Sequence, residues 1–201
     1  MSDTDSEYDS VLLVSFGGPE QRADVMPFLE NVVRGKNIPS DRLKDVAAHY
    51  NHFEGKSPLN DQNRALIAAL EEELRGNGID LPVYWGNRNW NPFILEALRQ
   101  MRDDGKTRAL AFVTSAYSSY SGCRQYLENI EKAREELGEG APTVAKLRAF
   151  YNHPGFIEAN VDRLLAALET LPKERRECAR VAFTGHSIPV AMAETSDYAE
   201  Q

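Results

Sequence analysis

Val11-Leu12-Leu13-Val14-Ser15-Phe16-Gly17-Gly18-Pro19 is the stretch on which the fold turns. Its apolar run is too short for a helix, carries apolar side chains at successive positions, and stops at Gly-Gly-Pro. That pattern predicts a buried strand followed by a turn. A strand apolar on both faces belongs in a parallel sheet covered by helices on each side. Similar runs recur at Leu81 to Trp85, at Ala109-Leu110-Ala111-Phe112-Val113-Thr114, more weakly at Val144 to Phe150, and at Arg180 to Thr184. Between them the apolar period is helical. Leu66, Ile67, Leu70 and Leu74 share a face, with Gly76 as the candidate stop. Tyr126, Ile130, Ala133 and Leu137 share another, ending at Gly138. Ile157, Val161, Leu164, Leu165 and Leu168 form a third, with Pro154 near its start. Each stripe reads as core packing. The alternation predicts an α/β protein with a Rossmann-like, doubly wound parallel sheet.

The first crossover is long. More than sixty residues, Gly17 to Asp80, separate the first two strands, with several helical stretches among them. Insertions of that length usually carry structure or function of their own. Leu171 to Glu177 reads as a charged, solvated loop, and Ala199-Glu200-Gln201 as part of a helix. The fifth strand begins a unit that the sequence does not finish.

With 201 residues, 42% hydrophobic and 27% charged, the composition is that of a soluble globular protein. It suffices for one core, or for one domain and part of a second. A net charge of −8 disfavours nucleic acid and anionic membrane as main partners. No run approaches the ~20 apolar residues of a membrane span. Met1 to Ser10 are polar and acidic, unlike a secretory signal or transit peptide, so a cytoplasmic location is expected. Cys123 and Cys178 read as free thiols. An iron–sulfur cluster usually takes four thiolates, so two could supply only part of one.

In open α/β sheets ligands bind beyond the carboxyl ends of the strands. The residues that follow the predicted strands are Ser15 to Pro19, Asn87 to Trp90, Ser115 to Ser121, Tyr151 to His153, and His186 with Ser187. They are rich in rings and hydroxyls and poor in carboxylates. A flat apolar ligand with anionic edges would suit them. His186, between Gly185 and Pro189 in Thr184-Gly185-His186-Ser187-Ile188-Pro189, is either placed for chemistry or a structural residue of a tight turn. Dinucleotide, phosphate-loop, nucleophile-elbow and H-E-x-x-H patterns are all absent. His49 and His52 lie three apart without a nearby third ligand, as on a half-exposed helix face.

Four segments together resemble the ferrochelatase family, whose members insert ferrous iron into a porphyrin. They are Leu13-Val14-Ser15-Phe16-Gly17-Gly18-Pro19, Gly55-Lys56-Ser57-Pro58-Leu59, Ser118-Ser119-Tyr120-Ser121-Gly122-Cys123-Arg124-Gln125-Tyr126, and Thr184-Gly185-His186-Ser187-Ile188-Pro189. The resemblance runs from about Tyr8 to the end, and the third segment looks most like the actinobacterial branch, which uses coproporphyrin III. It implies a chelatase-like domain over 8–150 and the start of a second, similar domain over 151–201. It implies His186 as the catalytic and metal-site residue. Phe16, Arg34, Ser57, Tyr117, Tyr120 and Tyr126 become porphyrin contacts, Arg34 toward a propionate and Tyr126 near a helix N-terminus. Fe²⁺ and porphyrin are the implied substrates. A 2Fe–2S cluster is conceivable in the family's full-length proteins but is not supported by this chain alone.

Two positions depart from the family pattern. Phe16 stands where many bacterial members have an iron-ligating Tyr, and His49 stands where some have an Arg. Family members also carry a second half, with a Glu opposite the His, so this chain resembles an N-terminal portion of a monomeric enzyme. The competing readings are a porphyrin-binding piece without catalysis, and a half-length chelatase completed by dimerisation.

Overall fold

A computed structural model describes residues 8–201; of the acidic stretch Met1 to Ser10, residues 1–7 lie outside the described residues. The chain divides into two compact units, residues 8–114 with Tyr126–Leu147, and Ser115–Gln125 with Arg148–Gln201.

The first unit holds a four-stranded parallel sheet in the order β2-β1-β3-β4. Its strands are β1 (Ser10–Ser15), β2 (Val83–Asn87), β3 (Arg108–Val113) and β4 (Thr143–Lys146). β1 is paired on both sides, with Val11 opposite Val83 in β2 and Leu110 in β3. All six of its residues are buried. Leu12 and Val14 join Leu98 and Met101 of α4 (Ile94–Asp103) and Ile130 of α5 (Gln125–Leu137) in one core. Leu13, pointing the other way, is fully buried too. The doubly apolar run therefore reports a strand covered on both faces.

The long first crossover folds into α1 (Arg22–Val32), α2 (Ser40–His52) and α3 (Leu59–Gly76). Val25, Phe28 and Leu29 of α1 meet Ala47 of α2 in a second apolar cluster, against which Phe16, Tyr50 and Trp90 pack. The stripe on α3 behaves differently from its prediction. Leu66 is exposed, and the fully buried residues of the helix are Asn60 and Asn63. Gly76 is helical; Asn77 is the cap, and Gly78 takes the positive φ of +72° that ends the helix. Gly138 does end α5 as predicted, with φ +73°.

In the second unit α6 (Pro154–Glu169) starts at Pro154, capped by His153, whose Nδ1 accepts from the Gly155 amide at 3.2 Å. None of its residues is buried, so the predicted stripe of Ile157, Val161 and Leu165 is not core within this unit. The charged connector contains a short helix, α7 (Lys173–Arg176), after Pro172. The last helix, α8 (Val190–Ala193), is followed by turns, so the end of the chain is not helical as expected.

The predicted fifth strand does not form. Arg180 to Thr184 pair with no strand among the described residues, and Phe183 is 91% exposed. A strand cannot persist alone, because its N–H and C=O groups need a neighbouring strand. β4 also stops short of the predicted Phe150.

One carboxylate ties the start of β1 to that of β3. Asp9 accepts from the Thr107 amide at 2.7 Å, the Thr107 hydroxyl at 2.9 Å and the Arg108 amide at 3.2 Å. Partial burial works against its charge, but these hydrogen bonds outweigh it and hold its pKa below the ordinary carboxylate value. A lowered folded-state pKa adds stability above the unfolded-state pKa, and that stability is lost as pH falls through the acid range. Asp9→Asn should therefore cost about 1 kcal/mol at pH 7. The gap from wild type should close below about pH 4 in thermal unfolding curves.

Candidate functional site

In the first unit the loop after β1 is shaped by two glycines. Gly17 has φ +79°, and a Cβ there would lie 2.8 Å from Asn87 Cβ. A Cβ on Gly18 would lie 2.7 Å from Ser57 Cβ and Oγ. The loop thus runs between the end of β2 and the start of α3 with no room for side chains. Just before it, Phe16 packs edge-on to Phe28, with ring centroids 6.2 Å apart. Arg88, from the loop after β2, lies against two rings, 5.7 Å from the Phe16 centroid and 4.8 Å from that of Tyr126. Both distances suit cation–π attraction. Tyr126 is buried in the main core with Ile130 and Ala133. Burial raises its phenol pKa, and Arg88 offsets that only partly, so it is a neutral hydroxyl near pH 7.

Beside this loop lies a pocket of about 420 Å³ lined by His49, Tyr50, Phe53, Lys56, Ser57 and Pro58. Its wall follows from local sequence. Gly55 has φ +74°, and a Cβ there would come 2.4 Å from Arg22 Cα, so only glycine lets the α2–α3 connection close on α1. Ser57 is then pinned from two directions. Its amide donates to Pro19 O at 2.8 Å, and its hydroxyl accepts from the Leu59 amide at 3.3 Å at the start of α3. Tyr50, edge-on to Phe28 at 5.8 Å, has its phenol pKa raised by burial. Phe53 is 70% exposed. Nitrogen-bearing side chains stand among the lining residues. Lys56 lies 2.6 Å from Asp61, and His49 is exposed on α2. An apolar cavity with a lysine among its lining residues accepts a flat hydrophobic body with anionic substituents.

Arg34 is exposed just past α1, and its guanidinium donates to Asn31 Oδ1. Asn31 donates to Asn89 O at 3.2 Å, and Asn89 donates to Phe16 O at 3.2 Å. A relay of amides thus links Arg34 to Phe16.

The second unit holds Tyr117, Tyr120 and His186. Tyr117 packs on Tyr151 at 6.5 Å, Phe156 at 6.3 Å and Tyr198 at 6.2 Å. Tyr198 in turn donates its hydroxyl to His186 O at 3.2 Å. The side chain of His186 is exposed, with Nδ1 2.7 Å from Ser187 O. A carbonyl can only accept, so Nδ1 carries a hydrogen in this contact, and in the neutral imidazole the lone pair is then on Nε2. Tyr120 opens a π-helical turn, Tyr120–Arg124, capped by Ser119 Oγ accepting from the Gly122 amide at 2.8 Å. α5 continues from this turn, so Tyr126 follows several helical residues and is not at a free helix start. Cys123 and Cys178 are free thiols, and the described residues include no group of three or more His, Cys, Asp or Glu able to hold a metal. They make no four-ligand set for a 2Fe–2S cluster.

The structure thus joins Phe16 and Tyr126 through Arg88, sets Ser57 in the pocket wall, and joins Tyr117 to His186 through Tyr198. Arg88, Tyr50 and Phe53 were not singled out by sequence. The usable signals were the place of Arg88 after a predicted strand and the aromatic pair ahead of Gly55.

Gly17→Ala should destabilise the chain by about 2–3 kcal/mol, since it adds a positive-φ penalty to a clash with Asn87. Gly35→Ala, also at positive φ but with nothing within 4 Å, should cost less in the same chemical denaturation series.

The description of the family model that matches residues 8–201 is ferrochelatase. A ferrochelatase of Rhodopirellula baltica is 60% identical over 194 residues, 96% of this chain and 55% of the relative. The coproporphyrin III ferrochelatase of Streptomyces coelicolor is 53% identical over 199 residues, 98% of this chain and 53% of the relative. That of Nocardia farcinica is 56% identical over 183 residues, 91% and 52%. The chain therefore spans about half the length of the curated relatives it matches. With a matched model over nearly its whole length, the chain belongs to the ferrochelatase family.

Proposed function

We propose that this chain binds coproporphyrin III and takes part, as a single polypeptide, in inserting Fe²⁺ into it. The named relatives support the substrate, and one observation supports the chemistry: His186 presents an exposed imidazole whose Nδ1 is committed to Ser187 O. Nε2 can then bind Fe²⁺ or accept a pyrrole proton.

Insertion breaks two pyrrole N–H bonds, forms four iron–nitrogen bonds and releases two protons. A group that delivers iron must also let it go. His186 stands outside any cluster of three or more metal-ligating residues among the described ones, and one imidazole holds iron weakly enough to transfer it. The four ring nitrogens then retain it. The pocket beside Ser57 serves the other requirement. Its aromatic walls hold the macrocycle's face, and Lys56 at the pocket, with Arg34 exposed just past α1, supplies the cations for its carboxylates. Contacts remote from the ring centre can hold the macrocycle bent, at about 1–5 kcal/mol of strain, and expose its nitrogen lone pairs. Phe16 has no ligating atom, so the product iron gains no axial ligand from that position.

Anaerobic addition of Fe²⁺ to the chain with coproporphyrin III tests this. The four free-base Q bands should collapse to the two-band metalloporphyrin spectrum faster than without protein. His186→Ala should abolish that acceleration and leave the porphyrin-binding shift intact. A wild-type spectrum that shifts but never collapses would reduce the reading to binding, and an unshifted spectrum would overturn it.

A further inference from the structure

Four segments of the first unit meet at one buried amide. Asn60, in the first turn of α3, is 1% exposed. Its Nδ2 faces three oxygens: Gly18 O at 3.3 Å, Asn91 O at 3.3 Å and Glu20 Oε1 at 3.4 Å. Its Oδ1 accepts from Asn87 Nδ2 at 3.4 Å, and Asn87 Nδ2 also donates to Asn91 O at 3.1 Å. Trp85 Nε1 completes the set by donating to Asn87 Oδ1 at 3.0 Å. The polar atoms of both amides are thus satisfied from the loops after β1 and β2, from β2 and from α3. A buried network with every member satisfied favours one arrangement of the parts it joins.

The part held in place is the wall of the pocket. Gly18 and Pro19 are adjacent; Asn60 holds the carbonyl of the first, and the second accepts the Ser57 amide at 2.8 Å. Ser57 in turn lines the 420 Å³ pocket. An apolar residue at position 60 would leave the Gly18 and Asn91 carbonyls and the Asn87 amide short of a partner. Only a donor can fix a carbonyl. We propose that Asn60 is a positioning residue whose amide hydrogens fix the Gly17–Pro19 loop, and through it Ser57, at the pocket wall. What the pocket binds rests on the porphyrin reading above; what holds its wall does not.

Asn60→Asp is nearly isosteric and replaces the donating amide with an oxygen facing three others. Ionised, it repels the loop; protonated, it regains one donor. The surrounding charges are Glu20, Arg64, Asp61 and Lys56, and Glu20 Oε1, 3.4 Å from the Asn60 amide nitrogen, adds to the repulsion of a new carboxylate. At pH 8 the Kd for coproporphyrin III should rise about tenfold over wild type, and the ratio should fall as acid protonates the new carboxylate. Asn60→Leu, with no donor at any pH, should stay raised throughout. Hydrogen exchange reports the loop without ligand. At pH 8 the Ser57 amide in N60D should exchange at least tenfold faster than in wild type, while the Leu12 and Leu13 amides of β1 keep their rates. A wild-type Kd for N60D at pH 8, or Ser57 exchange that is unchanged or rises only in step with β1, would overturn the proposal. If the wild-type chain does not bind coproporphyrin III, the porphyrin reading fails, and the exchange comparison still decides the role of Asn60.

Discussion

The first unit depends on β1 being paired along both edges and covered on both faces. A strand in that position can present no side chain to water, so Ser10 to Ser15 are all buried, and the four residues between the two serines are apolar. The chain that leaves it emerges in the middle of the sheet, between neighbours already in place. It can pass between Asn87 on one side and Ser57 on the other only without side chains, which Gly17 and Gly18 allow. The ring of Phe16, Ser57 of the pocket wall and the amide network all meet the chain at this exit. The geometry of the candidate site is thus a consequence of how the central strand ends.

Charge is handled by pairing at the surface and by dipoles inside. Among the described residues the ion pairs around α3, Glu20 with Arg64 and Lys56 with Asp61, are about half exposed and contribute little stability each. The interior next to them is joined by asparagine amides. A neutral amide can be buried at far lower cost than an ion, and it still carries direction. That division lets the loops around the pocket be fixed without a buried charge that would compete for an anionic ligand.

Much of this was legible in the sequence, for identifiable reasons. Three strands announced themselves through apolar runs and β4 more weakly, since Thr143–Lys146 is half-buried, and α5 and α6 through their caps, Gly138 and Pro154, which leave distinct marks. The fifth strand misled. Val181 and Phe183 have the composition of a strand, but strand formation is a property of a pair, and no partner lies among the described residues. The Leu66 stripe misled for a related reason, since α3 buries its amides where the pattern favoured its leucines. Of the candidate residues, Ser57 in the first unit and His186 in the second stood out through their motifs. Arg88 and Asn60 did not, because what they do depends on loops that converge from distant parts of the chain.

The central claim is that the pocket beside the β1 exit receives a flat, carboxylate-edged tetrapyrrole. Amide chemical-shift mapping of the chain titrated with metal-free coproporphyrin III tests it most directly. Perturbations should concentrate at Tyr50, Phe53, Lys56 and Ser57, with Gly17 and Gly18 following. Saturable binding whose shifts fall elsewhere, such as along the outer edge of β2 near Val83 and Trp85, would contradict it.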